Sequence, residues 1–548
     1  MSFSEPARPI DSELAATSAL LAAVLTVGFM TVGDYGITTD EFVFDAYGPK
    51  ALAWYLSGFT DRTWFYYLDE RPYGPWFQML VTAVQSLGLG ERFTVRHAVT
   101  FVIGIGGLAA LLPLARVTVG RWAGFAAIAL CLITGNLYGH LFFTPNDVPF
   151  MATMTWATLA VVVMARDPVP SWGVVVAVGL LTGLAIATRP GGVLVQLYLL
   201  AAMALCAVEA FLSRRDRTVL RRTGVRTAVA IFLAWPVAIA LWPLLQVQNP
   251  ATGFAIAFAH FADIGLDFPI WHWGQRLSTA ALPRTYVPGE LLARLPTVFI
   301  GLLAVAAVGG GASVFRFLAA CAKDMQRQGR AGMVAALSAL ARNRAILVLA
   351  MATLAPLAFV MVTRPIIFDG IRHLLFTIPL LALFAGWGLL RLLPLIRRVP
   401  YVWAPLAGAY VAAALATMAV LHPLEYMATN VLAGGVSRSV GRFDLDYWLA
   451  AATEALRRLE QRLANDASGR FRSGTPSIHI CIPWREQWVA PMFRRPWKLE
   501  LEPQKADYVI ETERSHCAPR SQAVLIDEVR RFDRPFAWTF ENRAAGRP

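Results

Sequence analysis

Long apolar runs alternate with short polar stretches over the first 421 residues of the chain. Many of these runs reach the length of about 20 residues that a helix needs to cross a bilayer. They predict eleven membrane-spanning helices, over residues 14–33, 96–115, 122–138, 148–165, 172–188, 191–212, 228–247, 291–312, 345–363, 373–391 and 400–421. The pattern therefore predicts an all-α polytopic membrane protein.

The loop after the first span is long, and its apolar positions repeat at helical spacing in two places. Residues 42–57 and 75–88 carry apolar and aromatic side chains at this spacing, and glycine and proline separate the two segments. Tyrosine and tryptophan favour the boundary between membrane and water. We therefore expect two amphipathic helices along the outer membrane surface.

The chain becomes charged after Leu421 and has no further spanning run. Residues 446–464 have the pattern of an amphipathic helix, and 477–482 and 506–511 that of short strands. The sequence thus predicts a membrane unit, 1–422, followed by a small C-terminal α/β domain, 423–548.

The composition of the whole chain supports the prediction of a membrane protein. Of the 548 residues, 57% are apolar and 16% are charged, and the mean hydropathy is +0.52; a soluble protein carries about a quarter charged residues. The net charge of +13 does not indicate nucleic-acid binding, because the basic residues lie mainly in short loops between spans, as in the cytoplasmic loops of membrane proteins. The first apolar run lacks a small-residue cleavage pattern, so we expect it to be a retained span.

The arginine-rich loops follow the sixth and eighth spans and precede the last one. Placing them in the cytoplasm puts the N-terminus inside and, with an odd number of spans, the C-terminal domain outside. Cys131, Cys206 and Cys321 lie in or beside spans and are expected to be packing residues. Cys481 and Cys517 share the polar domain, where a disulfide can form if that domain is outside the cytoplasm.

The candidate chemistry lies at the outer ends of the spans. Asp40 and Glu41 directly follow the first span, where an acid pair is costly unless it is solvated or used; the alternative is a solvated helix end. Asp147 precedes the fourth span, and its alternative role is that of a helix N-cap. Arg189 lies in the tight connection between the fifth and sixth spans, and its alternative is a cation that reaches to the membrane surface.

Two further groups lie on the same side. Arg372 and His373 open the tenth span, and the alternative for them is an ion pair with Asp369 or anchoring at the interface. His260 and Trp271 belong to the loop 248–290, which is the one best placed to cover a site. Trp271 can stack on a sugar or simply lie at the interface.

Several motifs are similar to those of a known superfamily. They are Thr39-Asp40-Glu41, the approach from Gly90 to Arg96, residues 144–150 (TPNDVPF, similar to N-P-K-D-I-P-F), residues 370–376 (GIRHLLF, similar to G-x-R-H-x-L-F), residues 422–430 (HPLEYMATN, similar to H-P-x-x-Y-x-x-x-N), and Asp446-Tyr447-Trp448. The order of these motifs along the chain and their placement on the outer side resemble those of the GT-C fold glycosyltransferases. The resemblance is specifically to the bacterial branch similar to protein O-mannosyltransferases and lipid A aminoarabinose transferases. Asn146 stands where the family has lysine.

The resemblance implies an activity. Such enzymes move a sugar from a polyprenyl-phosphate donor to an acceptor protein, lipid or envelope glycan at the outer face of the bacterial inner membrane. The reaction needs a base, for which Asp40 is the first candidate and Glu41 the second. It also needs cations on the lipid phosphate, for which Arg372, His373 and Arg189 are the candidates.

The remaining site residues are assigned less specific roles. Asp147 is expected to orient the sugar, hold a metal or position a cation, and His260 and Trp271 to contact the sugar. No compact ligand spacing predicts a metal site, and a divalent metal remains open as a cofactor.

Two other classes of function remain open from the sequence. A transporter or lipid flippase is also polytopic, but more often has mid-membrane charges and internal repeats. A non-catalytic scaffold with an extracytoplasmic domain would leave the acid pair and Arg372-His373 without a role.

Overall fold

The computed structural model describes residues 11–143, 145–214, 217–262, 265–465, 475–482, 486–493, 495, 497–519 and 521–542. Thr144, the first residue of the TPNDVPF stretch, lies outside these ranges. The helices, in chain order, are α1 (Ser12–Thr31), α2 (Thr39–Leu56), α3 (Trp76–Gln85), α4 (Arg92–Ala109), α5 (Leu111–Thr118), α6 (Ala123–Leu132), α7 (Gly135–Phe143), α8 (Asp147–Ala165), α9 (Trp172–Ile186), α10 (Leu194–Arg214), α11 (Arg217–Leu241), α12 (Pro243–Val247), α13 (Pro250–Ala262), α14 (Tyr286–Arg294), α15 (Thr297–Gln328), α16 (Arg330–Arg342), α17 (Arg344–Thr363), α18 (Ile378–Ile396), α19 (Pro400–Leu421), α20 (Gly435–Ser439) and α21 (Ala450–Ala464).

The predicted spans correspond to helices of the structure. Within the described ranges, nine helical segments are long and apolar enough to cross a membrane, and the pair α6–α7, bent by 73°, makes a tenth if it is one span. The remaining prediction, 172–188, is α9, which has 15 residues. The protein is therefore a multi-pass helical membrane protein, as predicted.

The two ends of α8 define the two faces of the membrane unit. Asp147 begins α8 and pairs with Arg189, which follows α9, at 2.5 Å. Because α9 returns to the face from which α8 started, it crosses the same layer despite its length. At the other end of α8, the carbonyl of Arg166 accepts a hydrogen bond from Arg344 at 3.1 Å. We call the Asp147 end the site face and the Arg344 end the opposite face.

The two surface helices are present as α2 and α3, and buried polar contacts fix them to α4. Arg96 donates to Gln78 of α3 at 2.7 Å and pairs with Asp45 of α2 at 3.3 Å. His97 lies 2.8 Å from Glu41. Buried pairs of this kind offset the free-energy cost of removing charge from water only when their geometry is good. These contacts therefore hold the start of α2 in one position.

The C-terminal domain is a five-stranded sheet with α21 packed against it. Its strands are β3 (Ser477–Ile480), β4 (Lys498–Leu499), β5 (Tyr508–Thr512), β6 (Ala523–Arg531) and β7 (Arg534–Asn542), while an earlier hairpin, β1 (Pro269–His272) with β2 (Gln275–Ser278), lies in the loop before α14. The strand order is β4-β3-β5-β7-β6, in which β3 is parallel to both neighbours and β7 antiparallel to both of its own. The predicted helix is present as α21 and the two predicted strands as β3 and β5, whereas β4 and the β6–β7 hairpin were missed.

Cys481 and Cys517, for which the sequence left a disulfide open, form one, with 5.9 Å between their Cα atoms. The bond joins the residue after β3 to the loop after β5. The domain rests on the site face, since Arg531 donates to the carbonyl oxygens of Leu421 at 3.1 Å and His422 at 2.8 Å. The boundary at 422–423 stays a prediction.

Candidate active site

The centre of the site is an ion pair between residues 332 positions apart in the sequence, Asp40 and Arg372. Asp40 lies in the first turn of α2, and Arg372 opens the 3₁₀ helix that leads into α18. Nη1 of Arg372 donates to Oδ2 of Asp40 at 2.5 Å. The side chain of Asp40 is 33% exposed and that of Arg372 is 9% exposed. A reachable carboxylate therefore lies in front of a buried guanidinium.

The turn before Arg372 determines its direction. Asp369 and Gly370 both have positive φ, +58° and +68°, which glycine adopts without strain. A Cβ at position 370 would lie 2.6 Å from Nε of Arg294. The turn brings Oδ2 of Asp369 within 3.4 Å of Arg372, so the guanidinium lies between two carboxylates.

Asp147 and Arg189 form the second ion pair, at 2.5 Å, and both are largely buried. The guanidinium of Arg189 lies over the rings of Tyr73, at 5.9 Å, and Phe261, at 5.7 Å. These contacts hold the Arg189 guanidinium inside the protein. Helix α8, which Asp147 begins, packs against the 3₁₀ helix that Arg372 opens, with the rings of Phe150 and Phe376 5.0 Å apart, so both ion pairs belong to one site.

Glu70 is a site residue that the sequence did not reveal. Its segment, between α2 and α3, packs closely on the connection that carries Arg189, because a Cβ at Gly74 would lie 1.6 Å from the carbonyl oxygen of Ala187. Burial raises the pKa of the Glu70 carboxyl to about 8, and the negative charges of Asp40 and Asp69 add to the effect. Glu70 is therefore protonated at neutral pH and can donate a hydrogen bond.

We expect Glu70→Gln to gain thermal stability relative to the unmodified protein as the pH rises from about 5 through 8. In the unfolded chain the carboxyl ionises near 4.5, and in the folded protein near 8. Rising pH therefore favours the unfolded state over this window, and the effect levels off above it. Glutamine has no charge to bury. Melting temperatures in detergent at several pH values measure the difference.

The control for this experiment is Glu502→Gln, since Glu502 is exposed and pairs with Lys505 at the surface. Its stability difference should be small at every pH. If the difference in melting temperature between Glu70→Gln and the unmodified protein stayed constant from pH 5 to 9, that result would contradict a raised pKa of Glu70.

Glu41 points away from the site, although it adjoins Asp40. Its Oε2 accepts hydrogen bonds from the backbone N–H of Thr38 at 2.9 Å and from the Thr38 hydroxyl at 3.0 Å, in a capping box at the start of α2. Its Oε1 lies 2.8 Å from His97. Of the two candidate bases, the structure places only Asp40 beside Arg372.

His373 and His260 lie at the edges of the site. The ring of His373 is half-buried and contacts Phe368 edge-on at 4.9 Å. The ring of His260 contacts Tyr73 at 6.1 Å, and burial lowers its pKa. His260 is therefore expected to be a neutral imidazole at neutral pH.

Trp271 contacts its own hairpin and the C-terminal domain. It belongs to β1, and its ring lies under Arg276 of the paired strand, at 5.7 Å. Its backbone N–H donates to Asp444 at 3.2 Å. Two other aromatic rings lie close to the Arg372 guanidinium: Phe368, at 5.0 Å, and Trp448 of the Asp446-Tyr447-Trp448 motif, at 5.6 Å.

Among the described residues, one group of His, Cys, Asp or Glu has ligand atoms close enough to hold a metal ion: His479, Cys481 and Cys517. The two cysteines are joined in the disulfide, so their sulfurs are not thiolates.

Residues 69–262 match the family model for dolichyl-phosphate-mannose-protein mannosyltransferase. The matched part includes Glu70, Asp147, Arg189 and His260, and the match confirms the resemblance seen in the sequence over this part of the chain. Among curated protein sequences, none is similar enough to this chain to count as a match.

Two solved structures are similar in overall shape. ArnT from Cupriavidus metallidurans, bound to undecaprenyl phosphate, is 16% identical over 97% of this chain and 99% of its own, with a TM-score of 0.49. The archaeal oligosaccharyltransferase AglB from Archaeoglobus fulgidus, in complex with an inhibitory peptide and a dolichol-phosphate, is 12% identical over 91% of this chain and 69% of its own, with a TM-score of 0.45.

Proposed function

We propose that this protein is an integral-membrane glycosyltransferase that moves a sugar from a polyprenyl-phosphate donor to an acceptor protein, lipid or envelope glycan. One observation carries the proposal: a reachable carboxylate, Asp40, is paired with a buried guanidinium, Arg372, which lies at the start of a membrane helix. A lipid phosphate anchored in the bilayer reaches such a place, and the pair supplies both a base and a phosphate-binding cation.

Asp40 acts as the base. The acceptor hydroxyl or amine gives its proton to the Asp40 carboxylate while its oxygen or nitrogen forms a bond to the sugar's anomeric carbon. The bond between that carbon and the phosphate oxygen breaks, and the polyprenyl phosphate leaves with the electron pair. Negative charge builds on this phosphate in the transition state, where fixed cations stabilise it most.

Arg372 binds the departing phosphate, because a guanidinium can donate two parallel hydrogen bonds to it. The incoming phosphate competes with Asp40 for Arg372 and thereby frees the carboxylate to accept a proton. Arg189 supplies a second positive charge and Asp147 positions it, as their 2.5 Å contact supports. Protonated Glu70 donates a hydrogen bond to a phosphate or sugar oxygen.

The remaining residues have supporting roles. His373 and His260 border the donor at its phosphate and sugar ends, and Trp271 supports Asp444 through its backbone. Glu41 holds Asp40 in place through the capping box and does not take the proton. The membrane lipid and the acceptor are the partners, and no nucleic acid is involved.

The site lies on the extracytoplasmic side of the bacterial inner membrane. The C-terminal domain contacts the site face, while the arginine-rich loops follow helices that end on the opposite face. The positive-inside rule puts those loops in the cytoplasm. The acceptor is thus met outside the cytoplasm, where envelope glycans and exported proteins lie.

A reporter that is active only in the cytoplasm should be silent when it is fused after Asn542. The same reporter inserted at Gly329, between α15 and α16, should be active, because this connection belongs to the arginine-rich face. Fluorescence or enzyme activity of the two fusions in whole cells measures the orientation. An active fusion at Asn542 would place the site in the cytoplasm and contradict the localisation.

The positions of the charged residues favour a glycosyltransferase over a transporter. A transporter binds its substrate near the bilayer midplane, whereas Asp147, Arg189 and Arg372 lie at the ends of helices. A scaffold without catalysis does not account for the Asp147–Arg189 pair or for buried Arg372, because burying charged groups costs free energy that a purely structural role does not require.

Mass spectrometry of envelope glycans, lipids and exported proteins from a deletion strain tests the proposal. Deletion of the gene should remove one sugar from an envelope glycan, lipid or exported protein, the unmodified gene should restore it, and an Asp40→Asn copy should not. The purified protein should bind undecaprenyl phosphate. Movement of a labelled lipid across vesicles without any sugar transfer would favour the flippase.

A further inference from the structure

A loop of the C-terminal domain reaches the ion pairs of the membrane unit. Arg514, which follows β5 closely, donates from Nη2 to Oδ1 of Asp369 at 2.9 Å and from Nη1 to the carbonyl of Tyr447 at 3.1 Å. Its guanidinium also lies 5.5 Å from the ring centre of Phe268. An arginine that is distant in sequence is therefore a direct neighbour of the site.

Asp369 connects Arg514 to Arg372. The carboxylate is buried, and its other oxygen, Oδ2, lies 3.4 Å from Nη2 of Arg372. Four charges of alternating sign thus contact one another in series: Asp40, Arg372, Asp369 and Arg514. Without Arg514, Arg372 would be the one ionic partner of the Asp369 carboxylate among the described residues. The carboxylate would then draw the Arg372 guanidinium away from Asp40 and from a phosphate.

The loop that carries Arg514 is fixed within its own domain. Oε1 of Glu511 accepts hydrogen bonds from the backbone N–H groups of Cys517, at 2.8 Å, and Ala518, at 2.6 Å. Thr512 and Ser515 form a β-bridge across the turn, and Cys517 is tied to Cys481 by the disulfide. The guanidinium of Arg514 is therefore presented on a short turn with little freedom.

Attachment of the domain does not require Arg514. Arg531 supplies separate contacts to the membrane unit, at the carbonyl oxygens of Leu421 and His422. Attachment and the contact to Asp369 can therefore be changed independently, which makes the role of Arg514 testable.

We propose that Arg514 is a positioning residue: the C-terminal domain completes the active centre by fixing Asp369, which in turn fixes Arg372 for the donor phosphate. The inference rests on the proposed glycosyltransferase function and deepens it, because it makes the extracytoplasmic domain part of phosphate binding. Arg514 itself does not contact the reacting atoms.

The experiment compares Arg514→Gln, Arg514→Lys and the control Arg530→Gln in the full-length protein. Arg530 is a half-exposed arginine of the same domain that pairs with Glu528. Arg514→Gln should raise the Kd for undecaprenyl phosphate and the KM for the sugar donor by about tenfold or more, the scale of a lost charged hydrogen bond, with a smaller change in kcat. Arg514→Lys should restore part of the affinity, and Arg530→Gln should match the unmodified protein.

A double-mutant cycle tests the route through Asp369. In an Asp369→Asn background, Arg514→Gln should cost little more, because the carboxylate that Arg514 fixes is already gone. Full additivity of the two losses would overturn the route, and equal Kd and KM values for Arg514→Gln and Arg530→Gln would overturn the role of Arg514.

Two further outcomes are distinguishable from these. If the unmodified protein neither binds undecaprenyl phosphate nor transfers a sugar, the proposed function itself fails. If Arg514→Gln does not fold, Arg514→Lys decides the matter: a raised donor KM with unchanged melting temperature supports positioning, and an unchanged KM overturns it.

Discussion

Asp40→Asn should lower the rate of sugar transfer by about 10²-fold or more, the scale expected when a general base is lost. Asparagine is nearly the same size and can still accept a hydrogen bond from Arg372, but it cannot take a proton at neutral pH. Because Asp40 is one-third exposed at the start of α2, the change should not disturb the packing of the helix.

The affinity for undecaprenyl phosphate should hold or rise in Asp40→Asn. The variant removes a negative charge that competes with the phosphate for Arg372, so the phosphate gains a freer cation. A transfer assay with saturating donor and a separate binding measurement distinguish the two effects.

Glu41→Gln is the matched control, since it is the same kind of change one residue along. Glutamine can keep its oxygen on Thr38 and turn its amide toward His97, which are the two groups that Glu41 contacts. Its effect on kcat should be much smaller. A purified Asp40→Asn protein with near-normal turnover contradicts the base assignment, and a large loss of kcat in Glu41→Gln alone moves the role to Glu41.

Arg372→Ala should weaken binding of undecaprenyl phosphate by about 10²-fold, as expected for the loss of two charged hydrogen bonds. It should also destabilise the protein. Arg372 faces the carboxylates of Asp40 and Asp369, and truncation of one partner of a buried pair leaves uncompensated charge that costs about 3–5 kcal/mol.

Arg372→Lys separates affinity from stability. Lysine keeps the positive charge among the carboxylates, so the protein should fold, but it lacks the planar fork that matches a phosphate. The Kd should rise by about tenfold. Arg364→Lys is the control, because Arg364 is exposed at the end of α17, eight positions away. Unchanged phosphate binding in a folded Arg372→Ala protein would refute the assignment.

Local patterns in the sequence determined most of the framework. The spans follow from the length of apolar runs, and α2 and α3 from helical spacing, because both depend on residues within a turn or two of each other. The ends of α2 and α8 also follow from their own residues. The sequence could therefore place Asp40, Asp147, Arg189 and Arg372 at the ends of helices on one side.

The tertiary structure decided which of these charges meet and which are turned away. Asp40 and Glu41 are neighbours with the same chemistry, yet only contacts with α4 and Thr38 turn Glu41 inward. Glu70 belongs to the site because its segment packs on the connection before α10. Trp271, by contrast, pairs with Arg276 in its own hairpin.

The physical reason is that periodicity is local, whereas burial and ion pairing are not. Asp40 meets Arg372 across 332 residues, and Arg514 meets Asp369 across 145. No pattern along the chain encodes such distances, since they result from the packing of helices that are far apart in sequence. The sequence determined which charged residues lie at the ends of spans. Only the folded protein showed that the domain beyond the last span contributes a charged residue, Arg514, to the site.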